Sequence, residues 1–288
     1  MKCDVVLTRS GAPAMRDRAS GEVMHPGTGP GVEPRELYVL PSRLEARLRA
    51  GGDDDLVLLD VGLGAASNAI AAWRVSEAIG GAVGASEARR LRIVSFDHDL
   101  EPLELALRPE HAASFGLGRE HDGAHTAATA LLATHRFETP RTTWRLSLGD
   151  FPAQIAREPS ASADIVFWDF YSSKTHPHLW TLAMFRELRR VCRSGATLHT
   201  YSTATSFRAG LLLAGFAVGA GTSSGERQET TIASVDVADL EEPLDLRWLD
   251  RLARSSAAFP TDVGADPASR ADALGRVRAC PQFSRGNQ

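Results

Sequence analysis

The residue of this sequence best suited to chemistry is an aspartate that ends an apolar run. Residues 165–169 (IVFWD) are rich in β-branched and aromatic side chains, and a polar loop containing Lys174 follows them. Buried strands of parallel sheets have this composition, and open α/β folds bind their ligands where such strands end. We therefore predict that Asp169 reaches a reaction site, where a carboxylate can orient a nucleophile or accept a proton, with helix capping as the alternative.

A glycine-rich turn within residues 56–68 (LVLLDVGLGAASN) marks a second junction of this kind. Asp60 lies near the end of the apolar run, and Gly62 and Gly64 let the backbone turn tightly and approach a ligand. The pattern is not a full GxGxxG motif, because Ala66 takes the third position. It matches equally the looser GxGxG turn that holds the aminoacyl part of S-adenosylmethionine. A nucleotide-type cofactor is therefore predicted, with a plain structural turn as the alternative.

Two further acids follow apolar runs. Asp97 ends the run 91–97, and a carboxylate at this place can accept hydrogen bonds from both hydroxyls of a ribose. Asp150 follows the run 142–148, where methyltransferase-like folds commonly hold the adenine amino group with an acid. Either acid could instead cap the helix that follows it. Both are predicted cofactor ligands, with helix capping as the alternative.

Aromatic residues surround the loop that follows the reaction-site aspartate. Phe170, Tyr171 and Trp180 can each stack on a base, a contact worth roughly 1–3 kcal/mol. Residues of this kind also build protein cores, so base stacking and core packing are both open for them.

The elements that must position these residues alternate along the chain. Apolar runs of strand length are separated by helical segments, which predicts a mostly parallel, doubly wound sheet. With a closing antiparallel hairpin, the prediction is an α/β fold with a seven-stranded, Rossmann-like sheet of the class I methyltransferase plan. The expected strands are 56–61, 91–97, 142–148, 164–169, 196–201, 216–218 and 230–235.

The chain is predicted to have three parts. Residues 1–50 form a small N-terminal lobe with strands at 5–8 and 36–40, and residues 51–240 form the methyltransferase domain. Residues 241–288 are expected to be an amphipathic surface helix followed by a polar, loosely held terminus.

Composition limits the classes of function. A net charge of −4 argues against broad nonspecific nucleic-acid binding, which needs a dense basic surface, but it allows a local basic patch. No run of about 18 apolar residues and no signal-peptide core are present, so we expect no membrane span and a cytoplasmic location. The three cysteines and nine histidines lack the spacing of disulfide frameworks or metal sites, so no metal is predicted. The oligomeric state is not indicated by the sequence.

Several separate segments carry a resemblance to one family. These are the turn GLGAASN ending at Asn68, Asp169-Phe170 followed by Lys174, Pro177 and Leu179-Trp180-Thr181, then Thr200-Tyr201-Ser202, Arg208 and Gly215-Phe216. On these motifs the chain resembles the methyltransferase domain of the MnmC family of tRNA-modifying enzymes and its stand-alone MnmD-type relatives. The resemblance covers roughly residues 20–240.

The resemblance implies a methyl donor, a substrate and residue roles. The donor would be S-adenosylmethionine, and the substrate would be tRNA with 5-aminomethyluridine at the wobble position, giving 5-methylaminomethyluridine or its 2-thio form. By matching position, Asp169 would be the active-site aspartate, while Lys174 would meet phosphate or brace the loop. The cofactor would contact Asp60, Gly62, Gly64, Asn68, Asp97, Asp150 and Asp169, and the substrate would contact Phe170, Tyr171, Trp180, Tyr201 and Arg208.

The chain also departs from this family's pattern. Ser172 and Ser173 stand where the family usually has a proline-containing loop. The sequence has no counterpart of the FAD oxidoreductase half of MnmC, so we expect another protein to supply the aminomethyl group. The alternatives are a methyltransferase for a small-molecule or protein amine, a cofactor-binding module without catalysis, and an aminopropyltransferase, which shares this fold and similar acids.

Overall fold

Strands and helices alternate through most of the computed structural model, which describes residues 2–8, 10–24, 29–80, 88–118, 123–170, 172–221, 229–264 and 266–284. The strands are β1 (Cys3–Leu7), β2 (Pro13–Asp17), β3 (Leu56–Val61), β4 (Leu91–Asp97), β5 (Arg136–Glu138), β6 (Thr142–Leu148), β7 (Ala163–Trp168), β8 (Cys192–Thr200), β9 (Ala217–Gly221) and β10 (Thr230–Ser234). The α-helices are α1 (Leu44–Arg49), α2 (Ser67–Gly80), α3 (Glu101–Ala106), α4 (Pro109–Ala112), α5 (Ala124–Thr134), α6 (Phe151–Ile155), α7 (Leu182–Val191), α8 (Thr205–Leu213), α9 (Leu246–Arg254), α10 (Pro267–Arg278) and α11 (Pro281–Ser284). A π-helix spans Arg35–Val39, and 3-10 turns span Pro177–Leu179 and Val237–Asp239.

The large sheet has the strand order β5-β6-β4-β3-β7-β8-β10-β9. The five strands from β6 to β8 run parallel, and the pairs β8–β10, β9–β10 and β5–β6 are antiparallel. Val61 pairs with Phe96 on one side and with Trp168 on the other. The carboxyl ends of β3, β4 and β7 therefore meet at one edge, and the α/β fold with a mostly parallel sheet is confirmed.

Both faces of this sheet are covered, which explains why its central strands are continuous apolar runs. Every residue of β3 and of β7 is buried. Along β3 the side chains alternate, so that Leu59 and Val61 pack in one hydrophobic cluster and Leu56 and Leu58 in the other. Because successive strand residues point to opposite faces, one short segment fastens both helical layers to the sheet.

Two predicted strand details are wrong. The sheet has eight strands rather than seven, because the three-residue strand β5 adds an antiparallel edge next to β6. Residues 36–40 are not a strand, since Arg35–Val39 is helical and β1 pairs with β2 instead. This run is buried on every side, as shown by Leu37, Tyr38 and Val39. The hydrophobic pattern of a short, fully buried run is the same for a strand and for a helix, so it does not distinguish them.

The predicted loose terminus is also wrong. Helix α10 begins with a capping box in which Asp266 accepts hydrogen bonds from the backbone of Ala268 and Ser269. Val277 and Phe283 belong to one of the two main hydrophobic clusters. The segment after α9 is thus packed against the body of the protein. The division of the chain into 1–50, 51–240 and 241–288 stays a prediction.

Across the described ranges, no helix combines the length and apolar composition that crossing a bilayer requires.

Candidate active site

A cavity of about 260 Å³ opens at the edge where β3, β4 and β7 end. This volume lies near the lower end of the range for ligand pockets, about 300–1,000 Å³. The cavity is lined by the strand-end turns and by the N-terminal segment, including Glu22, Met24, Glu33, Tyr38, Gly62, Gly64, Asp97, His98, Asp169, Phe170, Ser172, His176 and Tyr201. The structure thus brings together the acids and glycines from three of the strand ends that the sequence singled out.

The turn after β3 requires glycine at its first position. Gly62 has φ +97°, and a Cβ there would lie 2.6 Å from the carbonyl oxygen of Asp169. Real Cβ atoms do not approach an oxygen so closely, so any side chain would push the ends of β3 and β7 apart. Ala66 stands in the left-handed region at φ +65°, immediately before α2. The missing third glycine is therefore accommodated by an alanine in a mildly strained conformation.

Asp97 holds this turn while it lines the cavity. Its Oδ2 accepts a hydrogen bond from the backbone N–H of Gly64 (2.9 Å), and its Oδ1 accepts one from His98 (2.7 Å). Asp97 does not cap α3, whose N-cap residue is Leu100, and the N–H of Glu101 donates to Asp99 Oδ1 (3.0 Å) instead. Asp97 therefore joins the glycine turn to the cavity, at the place where a ribose-binding acid is expected.

Asp169 is fixed by hydrogen bonds to both of its carboxylate oxygens. Tyr38 donates to Oδ1 and Asn68 Nδ2 donates to Oδ2, each at 2.7 Å. Tyr38 is 1% exposed and Asn68 is 4% exposed, so neither donor can turn toward solvent. The same carboxylate lines the cavity. The site thus presents a rigid acceptor to whatever enters the cavity.

Tyr38 is a site residue that reasoning from the sequence missed. It lies in the π-helix Arg35–Val39, and its ring packs 5.3 Å from that of Phe167. Helices of this type are frequent at functional sites. A signal was available, because a buried tyrosine in an apolar run needs a partner for its hydroxyl group.

The loop after Asp169 is tied to the rest of the site at several points. Tyr201 donates a hydrogen bond to the carbonyl of Phe170 (2.9 Å), and both residues line the cavity. Lys174 is exposed, and its backbone N–H contacts Ser172 Oγ at 3.3 Å. Tyr171 lies outside the described residues, so its predicted role stays a prediction.

Two histidines face each other at this cavity. The ring centroids of His98 and His176 are 5.8 Å apart. The Asp97 carboxylate, which accepts a hydrogen bond from the His98 ring, raises the pKa of His98, whereas burial lowers the pKa of His176. The two shifts have opposite signs, so His98 holds a proton more readily than His176.

Six described residues that were predicted to touch a ligand do not line this cavity: Asp60, Asn68, Asp150, Lys174, Trp180 and Arg208. Asp60 is 1% exposed, and its Oδ2 accepts a hydrogen bond from Ser95 (2.6 Å) inside the sheet. Asp150 is exposed at the start of α6. Trp180 packs among Trp168, Phe207 and their neighbours, and Arg208 is fully buried. Of the four acids that the sequence singled out, Asp97 and Asp169 line the cavity, whereas Asp60 lies inside the sheet and Asp150 lies at the N-cap position of α6.

Arg208 joins α8 to β10 from inside the protein. Its Nε donates to Thr231 Oγ1 and its Nη2 donates to the carbonyl of Thr230, both at 2.8 Å, and it forms an ion pair with Glu229 at 2.6 Å. A guanidinium group committed to three partners on one hairpin is a structural brace rather than a substrate contact.

Replacing Arg208 with Met is therefore expected to lower the free energy of unfolding by about 2–4 kcal/mol, because buried hydrogen-bond acceptors lose their donor. Urea denaturation followed by circular dichroism measures the change. The exposed Arg186→Met on α7 serves as the control, with an expected change within about 0.5 kcal/mol. An Arg208→Met protein of wild-type stability that loses substrate affinity would instead assign Arg208 to the substrate.

Comparisons with known proteins address the same region. A family described as S-adenosyl-L-methionine-dependent methyltransferase matches residues 121–236. The tRNA 5-methylaminomethyl-2-thiouridine biosynthesis bifunctional protein MnmC of Methylibium petroleiphilum is 29% identical over 247 residues, which are 85% of this chain and 36% of that protein. MnmC of Pseudomonas aeruginosa strain UCBPP-PA14 is 31% identical over 223 residues, or 74% of this chain and 32% of that protein. This chain thus spans about a third of the length of these curated relatives.

A solved structure shares the fold. The crystal structure of MNMC2 from Aquifex aeolicus superposes with a TM-score of 0.69 at 23% identity, covering 96% of this chain and 85% of that chain. At this level of identity the match concerns the arrangement of helices and strands.

Proposed function

This chain belongs to the S-adenosyl-L-methionine-dependent methyltransferase family and is similar to the MnmC proteins, and we propose that it methylates the aminomethyl group of wobble uridine in tRNA. The product would be 5-methylaminomethyluridine or its 2-thio form, made in the cytoplasm. One observation carries the proposal: a rigidly held carboxylate, Asp169, shares a cavity with the glycine turn and Asp97.

The residues of the cavity fit S-adenosylmethionine. Gly62 and Gly64 line the cavity without side chains, which would allow the aminoacyl part of the cofactor to approach the backbone of the turn closely. Asp97 lines the same cavity with its side chain 11% exposed, where its carboxylate can accept hydrogen bonds from ribose hydroxyls. Gly62, Gly64 and Asp97 are therefore the residues that would hold the cofactor.

S-adenosylmethionine supplies a methyl group on a positively charged sulfur, and its transfer forms a C–N bond as the C–S bond breaks and its electron pair stays on sulfur. The role of the protein is to align the amine for this in-line displacement. Asp169 can accept an N–H of the amine and so direct its lone pair toward the methyl carbon. Tyr38 and Asn68 keep the carboxylate from rotating, because each of its oxygens is bonded.

The amine must also arrive without its proton, although the pKa of an alkylamine is about 10. A bare carboxylate would favour the charged ammonium form. Two hydrogen bonds from Tyr38 and Asn68 withdraw negative charge from Asp169, which weakens that unfavourable effect. We therefore assign Asp169 chiefly an orienting role.

Two observations support tRNA as the substrate: the similarity to the MnmC proteins and the exposed side chain of Lys174. Lys174 lies on the loop next to the cavity and is exposed, so its ammonium group can contact a phosphate without entering the reaction site. A local contact of this kind is compatible with a net charge of −4.

A second candidate is a methyltransferase for a small-molecule or protein amine, which the overall negative charge favours. An assay with methyl-labelled S-adenosylmethionine distinguishes the two candidate functions. The protein is incubated in parallel with tRNA from cells lacking this protein, with a polyamine and with a lysine-rich protein. Our proposal predicts that the tRNA becomes labelled and that ribonuclease digestion releases this label. Label only in the polyamine or the protein would overturn the tRNA substrate and keep the methyltransferase.

A further inference from the structure

A glutamate of the N-terminal segment binds the loop that follows Asp169. Glu22 accepts hydrogen bonds from the backbone N–H of Ser172 (3.1 Å), from the hydroxyl of Thr175 (3.0 Å) and from the hydroxyl of Ser172. These bonds occupy both oxygens of the Glu22 carboxylate. Glu22 and Ser172 also line the cavity, so their contact lies beside the space that Asp169 lines.

Glu22 is itself held by a folded element. Its carbonyl accepts a hydrogen bond from the N–H of Asp17 (2.8 Å), at the end of β2. The next residue, Val23, forms an isolated antiparallel bridge with Arg16, and the N–H of Met24 donates to the carbonyl of Met15 (2.8 Å), so this segment is hydrogen-bonded to β2. The backbone next to the Glu22 carboxylate is therefore fixed against β2.

The loop needs an anchor of this kind. No proline occurs between Asp169 and Pro177, so its backbone is not stiffened from within. Its described internal bonds are short-range, such as those from the N–H groups of Thr175 and His176 to the carbonyl of Ser172 (both 3.1 Å). Bonds from a distant element restrict such a loop more strongly than local turns do.

We propose that Glu22 is a positioning residue, which holds residues 172–175 beside the cavity and thereby sets the path by which the amine reaches Asp169. This inference rests on the proposed methyl transfer. Lys174 lies between the two residues that Glu22 binds, so the same contact fixes where its exposed ammonium group meets the substrate. Losing the contact should slow turnover while leaving the cofactor-binding residues Gly62, Gly64 and Asp97 in place.

The test compares Glu22→Ala with Glu22→Gln. A glutamine can keep all the contacts, because its oxygen can accept from the Ser172 N–H and the Thr175 hydroxyl while its amide group donates to the Ser172 hydroxyl. We expect kcat to fall about tenfold or more in Glu22→Ala and to stay within about threefold of wild type in Glu22→Gln. The dissociation constant for S-adenosylmethionine should be unchanged in both. Glu110→Ala, at an exposed position of α4, is the control.

A second readout does not depend on activity. The chain has only two lysines, Lys2 and Lys174, so a lysine-specific protease reports on the loop by cutting after Lys174. Cleavage of a loop follows the population of its open form. We expect cleavage at Lys174 to be about tenfold faster or more in Glu22→Ala, because three hydrogen bonds are lost, and close to wild type in Glu22→Gln.

The outcomes separate this inference from the proposed function. Unchanged kcat and unchanged cleavage in Glu22→Ala would overturn it, and so would loss of cofactor binding, which would make Glu22 part of the fold of the site. If Glu22→Gln behaves like Glu22→Ala, the effect comes from loss of the negative charge and not from loss of the hydrogen bonds, and the inference is also overturned. If wild-type protein methylates no tRNA, the proposed function and the role in turnover fail together, whereas faster cleavage would show that the contact itself exists.

Discussion

Replacing Asp169 with Asn is expected to slow methyl transfer by about 10²–10⁴-fold, because the amine loses the acceptor that orients it. The fold of the site should survive the change. Asn68 Oδ1 is buried and has no hydrogen-bond partner among the described residues. The Asn68 amide can therefore turn over and accept from the new amide group, while Tyr38 still donates to the remaining oxygen. The substituted side chain then presents a donor where the amine requires an acceptor.

Single-turnover rates and the dissociation constant of S-adenosylmethionine measure these two effects separately. We expect the dissociation constant to change by no more than about threefold, since Asp97 and the glycine turn are untouched. Tyr38→Phe is the matched comparison, because it removes one donor and keeps the carboxylate, so its rate should fall by a smaller factor. If Asp169→Asn lost cofactor binding and rate together, Asp169 would be a structural residue, and if it kept the wild-type rate, the assignment would be wrong.

Replacing Gly62 with Ala is expected to lower the free energy of unfolding by about 2–5 kcal/mol and to abolish cofactor binding. Two effects add at this position. The backbone has φ +97°, which L residues rarely adopt, and the new Cβ would lie 2.6 Å from the carbonyl oxygen of Asp169. That oxygen belongs to the backbone at the end of β7, so it cannot move without displacing Asp169.

Gly64→Ala is the matched control, two residues further on. Its φ of +53° lies in the left-handed region that other residues reach at a cost of about 1–2 kcal/mol, and the new Cβ would meet only the flexible end of Met24 at 3.1 Å. Chemical denaturation and calorimetric titration with S-adenosylmethionine compare the two variants. Equal stability of the two, with cofactor binding retained in Gly62→Ala, would contradict the close contact between the turn and β7.

The sequence predicted the central sheet well because its strands are buried on both faces. The bounds of β3, β4 and β6 agree with the predicted runs, and Asp97 and Asp169 lie at the sheet edge where the alternation of strands and helices placed them. Such positions depend on local patterns of hydrophobic residues, which a single sequence displays directly.

The contacts that the sequence did not reveal are made between distant residues. Tyr38 and Asp169 are 131 positions apart, and Glu22 and Ser172 are 150 positions apart. Nothing in either local pattern indicates its partner. Arg208 is a further case, because a motif does not tell whether a polar residue contacts a ligand or braces two elements.

The sequence pattern does not show that the C-terminal segment is packed, because helix α10 exposes most of its surface. In α10 (PASRADALGRVR), only Ala273 and Val277 are buried, so the apolar stripe is too narrow to read as a core helix. Its attachment depends on Val277 and Phe283, together with the side chain of Gln282, which accepts a hydrogen bond from the backbone N–H of Val218 (2.8 Å).

The most direct test of the central claim is mass spectrometry of nucleosides from tRNA that carries 5-aminomethyluridine, after incubation with this protein and S-adenosylmethionine. Our account predicts a new 5-methylaminomethyluridine or 2-thio peak with wild-type protein, and none with Asp169→Asn. Unmodified 5-aminomethyluridine, recovered in full from a protein that binds S-adenosylmethionine, would contradict the account and assign the cavity to another amine.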